Sequence, residues 1–161
     1  MPKIYLIDVT NRDGVQTAKL GLSKLEKTMI NIYLNEMGVF QSEFGFPTTK
    51  HESLYLQANL ELAEMGVLKP IRLEGWIRAI DDDVEKTFKL VPNIKHLNLS
   101  ISTSDQMIIG KFQGRKSRKD VINDMVAAVD AAKAHGTESI GVNAEDASRT
   151  DLDFLIEFGL A

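Results

Sequence analysis

Apolar residues along this chain alternate between two periods. Residues 4–10 (IYLIDVT), 39–46 (VFQSEFGF), 71–79 (IRLEGWIRA), about 96–102 (HLNLSIS) and 138–143 (ESIGVN) are short runs rich in β-branched and aromatic side chains, and they predict strands. Between them the spacing turns helical. Leu25, Met29, Ile32, Tyr33 and Met37 share one face of a helix that opens on the capping pair Ser23 and Glu26 and stops at Gly38. A second helix over about 51–65 starts from Thr49 and Glu52 and ends at Gly66. Val84, Phe88 and Val91 mark a short third helix, whose first turn holds Asp81, Asp82 and Asp83 at the positive end of its dipole. A long helix from about Ser117 to Ala134 buries Val121, Met125, Val129 and Ala132, and another begins near Thr150.

Two near-identical helix exits, LNEMGV (34–39) and LAEMGV (62–67), show that this is a repeated βα unit. Parallel strands need helical crossovers, so the repeat predicts a parallel sheet. No G-x-G-x-x-G follows the first strand, which removes the best support for a dinucleotide fold. Polar residues instead collect where strands end, as the mouth of a (β/α)8 barrel requires. The expected fold is α/β: a partial (β/α)8 TIM barrel of about five βα units plus the start of a sixth helix. Residues 1–161 would form the N-terminal part of one catalytic domain, with the first and fifth strands as open edges. Such a chain is either a fragment or one part of a barrel that another polypeptide completes.

Composition narrows the functions. With 19 Lys+Arg against 23 Asp+Glu the net charge is −4, which argues against electrostatic capture of nucleic acid or anionic membrane. No apolar run reaches the roughly 18 residues of a bilayer span, and the N-terminal apolar stretch is short for a secretory signal. The absence of cysteine excludes disulfides, Cys-ligated zinc and thiol nucleophiles. A soluble, cytoplasmic protein is expected.

The densest chemistry lies in Asp8-Val9-Thr10-Asn11-Arg12-Asp13-Gly14-Val15-Gln16, at the end of the first strand. An Arg beside a carboxylate at a strand mouth suits two roles: oxygen ligation of a divalent cation and a fixed fork of donors for an oxyanion. A surface ion pair followed by a Gly turn is the alternative.

IDVTNRDGVQT resembles the signature of the pyruvate carboxyltransferase-like barrel enzymes. That superfamily includes isopropylmalate, homocitrate, citramalate and Re-citrate synthases and hydroxymethylglutaryl-CoA lyase. SEFGFP (42–47), STSD (102–105) and NAEDASRTD (143–151) resemble the family's motifs at the second, fourth and fifth strands, in the same order. Asn11 stands where a Leu is common, Val15 where isopropylmalate synthases have Glu, and Gln106 where many members have His. These departures favour the homocitrate or Re-citrate branch.

The resemblance implies an acyltransferase that condenses acetyl-CoA with a 2-oxo dicarboxylic acid. Its expected product is homocitrate from 2-oxoglutarate, with citrate from oxaloacetate as the runner-up; a lyase and a non-catalytic half-barrel subunit also stand. A divalent cation (Mg, Mn or Zn) would polarise the 2-oxo acid. Arg12 would stabilise the enolate or carbonyl oxygen, Asp13 would ligate the metal, and Glu145 would assist proton transfer. Glu145 would do so directly or by holding a catalytic partner near the acetyl-CoA methyl group, with Asn143 on the same wall. Gln16 and Glu43 would line the 2-oxo acid pocket, Thr103 would hold the substrate carboxylate, and Arg78 either pairs with a substrate carboxylate or forms a structural salt bridge. The family's late His-x-His metal pair has no counterpart, because His51, His96 and His135 lie far apart, so the chain alone should bind metal weakly. The basic stretch Lys111 to Lys119 either contacts coenzyme A phosphates or forms a solvated loop. The expected partners are these small molecules and either further copies of the chain or a C-terminal half chain.

Overall fold

A computed structural model describes residues 2–161. Five strands form one parallel sheet in chain order: β1 (Ile7–Asp8), β2 (Gln41–Gly45), β3 (Arg72–Arg78), β4 (His96–Ser102) and β5 (Ser139–Glu145). The helices are α1 (Lys24–Glu36), α2 (Lys50–Glu64), α3 (Asp81–Leu90), α4 (Asp105–Lys111), α5 (Arg118–Ala134) and α6 (Leu152–Leu160). An unbroken β1-to-β5 order with a helical connection at every step is the arc of a half-barrel.

Alternation along β4 shows how the two faces differ. Leu97, Leu99 and Ile101 are buried in the core shared with the helices, with Leu73 and Ile77 of β3, Val121, Met125 and Ala128 of α5, and Val84 of α3. His96, Asn98, Ser100 and Ser102 take the opposite face, which in a barrel is the interior. Gly75 is required where β3 passes a neighbour closely: a Cβ there would meet Ile94 at 2.6 Å and Pro47 at 2.9 Å.

The Ser23/Glu26 capping box is present, and Ser117 and Asp120 form another at the start of α5. Four expectations change. The first strand pairs over two residues only, and Ile4, Tyr5 and Leu6 are exposed, because as an outer strand β1 has the backbone of β2 on one side alone. Thr49 makes no cap, since Glu52 turns away to Lys27. Helix α4 was not expected; it precedes the basic stretch, which it meets only at Lys111, and is capped by Ser104. Asp83 does more than complement a dipole, because it is buried and receives the Arg78 guanidinium on both oxygens at 2.7 Å. No helix is long and apolar enough to cross a membrane among the described residues.

Candidate active site

The segment after β1 is a tight turn built on one carbonyl. The amides of Arg12, Asp13 and Gly14 all donate to Val9 O, at 3.2, 2.8 and 3.1 Å. Asp8 accepts from both the amide and the hydroxyl of Thr10 at 2.9 Å and secures the approach. The turn presents Arg12 toward the barrel mouth. Its Nε donates to Glu43 Oε2 at 2.8 Å, Nη1 donates to Asp13 Oδ1 at 2.9 Å, and the guanidinium lies 4.8 Å from the Trp76 ring centroid. Only two of the five N–H donors of Arg12 are thereby used.

Glu43, on the inner face of β2, is 3% exposed and accepts a further 2.5 Å bond from Asn98 Nδ2. Beside it in the β2–β3 register stands Glu74. Burial, and then the charge of Glu43, push the Glu74 carboxyl up to about 7 against a hydrogen bond from Gln41. Arg12, Gln16 and Arg78 line one cavity of about 380 Å³ with Phe46, Trp76, Lys27 and Glu52. The Lys27–Glu52 pair is joined at 2.8 Å, with the Lys27 ammonium over the Tyr55 ring. Arg78 thus serves both readings geometrically: it is clamped by Asp83 and still borders the cavity.

Thr103 and Glu145 form a second group at the ends of β4 and β5. Glu145 Oε2 accepts from Lys111 Nζ at 2.5 Å and from the Ser102 hydroxyl. Partial burial raises its pKa, but the bonds from Lys111 and Ser102 outweigh that and hold it below the ordinary glutamate range. Thr103 is buried, donates its amide to Glu145 O at 3.1 Å and shares a 2.7 Å hydrogen bond with the Thr150 hydroxyl. Asn143 is exposed on β5. Both groups belong to the C-terminal rim of the sheet, and no direct hydrogen bond joins them among the described residues.

Asp13 is 60% exposed and offers one hard oxygen donor. No group of three His, Cys, Asp or Glu is gathered for a metal among the described residues. By themselves, therefore, these residues do not make up a cation site. His96 begins β4 at the far rim and bonds Ser139 there, His135 caps α5 and stacks on Phe88, and His51 lies in the first turn of α2. Most of the basic stretch is neutralised within the chain: Lys111 by Glu145, Lys116 by Asp124, and Arg118 by Asp105 and Asp151. Trp76 and the Lys27–Glu52 pair were not foreseen, and Lys111 was expected only as part of the basic stretch, not as the partner of Glu145. Asn98 had a signal, since every second residue of HLNLSIS is polar. The others reach the site only through tertiary folding.

The chain matches the HMGL-like family over residues 3–160. A citrate (Re)-synthase of Dehalococcoides mccartyi is 73% identical over 161 residues, which is 100% of this chain and 39% of that protein. A 2-isopropylmalate synthase of Caldanaerobacter subterraneus is 39% identical over 155 residues, covering 96% of this chain and 38% of its own length. The chain therefore spans well under half the length of these curated relatives. Among solved structures, the Bacillus subtilis HMG-CoA lyase superposes with a TM-score of 0.64 at 17% identity, over 98% of this chain and 56% of the lyase, which supports the fold alone. The strand order, the four motifs at one rim and the match over nearly every residue lead to one conclusion: the chain belongs to the HMGL-like family.

Proposed function

We propose that this chain is the N-terminal part of an acyl-CoA condensing enzyme that joins acetyl-CoA to a 2-oxo dicarboxylic acid, with oxaloacetate as acceptor and citrate as product. The observation that carries this reading is the 73% identity to a citrate (Re)-synthase along the whole chain, against 39% to a 2-isopropylmalate synthase. It displaces 2-oxoglutarate as the first choice of acceptor. The two acids differ by one methylene, a distinction worth about 1–3 kcal/mol in a pocket, so relatedness discriminates better than motif chemistry.

The condensation needs three things of these residues. A proton leaves the acetyl methyl, and Glu145, kept ionised by Lys111 and Ser102, accepts it or orients the group that does. The resulting carbanion adds to the ketone carbon while negative charge grows on the ketone oxygen. Arg12 stabilises that charge with its uncommitted N–H donors, fixed in place by Glu43, which Asn98 fixes in turn. The oxygen then takes up a proton, and water cleaves the thioester to free thiol and carboxylate. Gln16, Arg78, Thr103 and Asn143 supply polar groups for the acceptor's carboxylates, and Asp13 would contribute one ligand to a divalent cation.

The test is release of free thiol from acetyl-CoA by the protein at its native length, with oxaloacetate, 2-oxoglutarate and 2-oxoisovalerate compared. Oxaloacetate should give the highest kcat/KM. A higher value for another acid would reassign the substrate, and no release with any would end the condensing reading. The exposure of Ile4, Tyr5 and Leu6 beside β1 suits a half-barrel that further strands complete, whether they belong to the same protein or to a second polypeptide. Size-exclusion chromatography of the chain alone and co-expressed with a C-terminal half would separate the two.

A further inference from the structure

Asn11 and Arg12 are neighbours that leave the same turn in opposite directions. Arg12 enters the mouth, whereas Asn11 is fully buried and bonded to α1. We infer that Asn11 is a positioning residue that anchors the Arg12–Asp13 turn to the helical layer through a chain of amide hydrogen bonds. Its importance to turnover rests on the condensing function proposed above; its structural part does not.

The backbone hydrogen bonds of residues 9–16 are local, reaching no further than Asp8 on one side and Thr17 on the other. Those bonds shape the turn but do not locate it on the barrel. Strand β1 adds little, since it pairs over two residues. Beyond the local bond from the Thr10 hydroxyl to Asp8, two side chains of residues 9–16 tie the turn to other elements by hydrogen bonds among the described residues: Arg12 to Glu43, and Asn11 to Lys27 O at 2.8 Å and Asn31 Oδ1 at 2.9 Å. Without Asn11, the turn's position would depend on the guanidinium that has to remain available to the substrate.

The receiving end is rigid. Asn31 Oδ1 accepts from Asn11 and from the Ser42 hydroxyl at 3.1 Å, and its Nδ2 donates to the Tyr55 hydroxyl at 2.9 Å and Asn59 Oδ1 at 3.0 Å. Both donors and both lone pairs of that amide are engaged. Asn59 passes the chain on to Thr28 Oγ1 and Tyr55 O, each at 2.9 Å. The Asn31 amide thus links β2, α1 and α2 with both donors and both lone pairs engaged, and a buried hub satisfied in this way favours a single geometry.

The orientation of Asn11 also points to direction over stability. Its Oδ1 is buried with no donor among the described residues. Flipping the amide would set that oxygen against two other acceptors, so the orphan remains. An orphaned buried acceptor is unfavourable, and an apolar side chain would avoid it. What the amide contributes instead is two directed bonds one residue away from Arg12.

The test uses the protein at its native length. Asn11→Leu keeps the branching and the number of side-chain heavy atoms and removes both donors. Expected are a loss of at least about tenfold in kcat, since small misplacements of a reacting group are amplified in rate, and KM within about twofold. Amide hydrogen exchange of Arg12, Asp13 and Gly14 should speed up about tenfold, with α1 and α2 unchanged. Wild-type kcat together with wild-type protection would overturn the inference. So would a loss matched by faster exchange throughout the chain, which is the mark of general destabilisation. Should Asn11→Leu fail to fold, Asn11→Ser, too short to span both acceptors, should show the same local loss, and wild-type behaviour there would be equally fatal. A wild-type protein inactive with every 2-oxo acid would defeat the condensing function, while the exchange experiment would still decide the anchoring.

Discussion

Glu74 provides the sharpest quantitative check on the interior of this half-barrel. It faces inward on β3, is 4% exposed and stands beside Glu43. Its carboxyl is pushed from 4.5 to about 7, chiefly by burial and then by the Glu43 charge. Below pH 4.5 the group is neutral in both folded and unfolded chains. Between 4.5 and 7 the unfolded chain releases the proton that the folded one keeps. The unfolded state then binds fewer protons, and stability falls as pH rises through that window. A shift of roughly 2.5 units at about 1.36 kcal/mol each amounts to roughly 3 kcal/mol lost by pH 8. Glu74→Gln removes the titration while keeping an amide of similar shape beside Gln41. At pH 8 the variant should be more stable by about 2–3 kcal/mol, or roughly 5–10 °C in Tm for a chain of this length. At pH 4.5 the two should coincide within about 0.5 kcal/mol. Urea unfolding midpoints at pH 4.5, 6, 7 and 8 would measure this. If Gln proves equally stable at pH 8, or destabilises by the same amount at every pH, Glu74 is not a desolvated carboxyl and the account of the inner face fails.

Three further outcomes are expected. Arg12→Lys keeps the charge but loses the planar fork that spans Glu43 and Asp13; thiol release at native length should fall about 10²–10³-fold in kcat, and a loss under threefold would remove Arg12 from the oxyanion role. Lys111→Met removes a bond that lowers the Glu145 pKa, so Glu145 should ionise at higher pH and the acid limb of the kcat/KM profile should move upward; an unmoved limb would show that Glu145 is not the group titrating there. Gly75→Ala forces a Cβ to within 2.6–2.9 Å of Ile94 and Pro47, and overpacking of this kind should lower stability by about 1–3 kcal/mol in urea unfolding, whereas an unchanged midpoint would mean that β3 and its neighbours yield freely.

Much of this was legible along the chain because it depends on neighbours in sequence. The Ser23–Glu26 box, the stop at Gly38 and the strand over 96–102 follow from local spacing, and so does the gathering of polar residues at strand ends. Arg12, Asp13, Thr103 and Glu145 stood out at strand ends, whereas Glu43 lies within β2, and the family resemblance gave all five their expected roles. What folding alone decided are the partnerships across long separations: Arg12 with Glu43, Asn98 with Glu43, Lys111 with Glu145, and Asn11 with Asn31. Thr49 illustrates the limit, since it has the spacing of a capping box while Glu52 prefers the ammonium of Lys27 on another helix. A cap or a period is settled within a few residues by backbone geometry. An ion pair or amide network depends on which faces the sheet brings within about 3 Å of each other, and no local pattern encodes that distance.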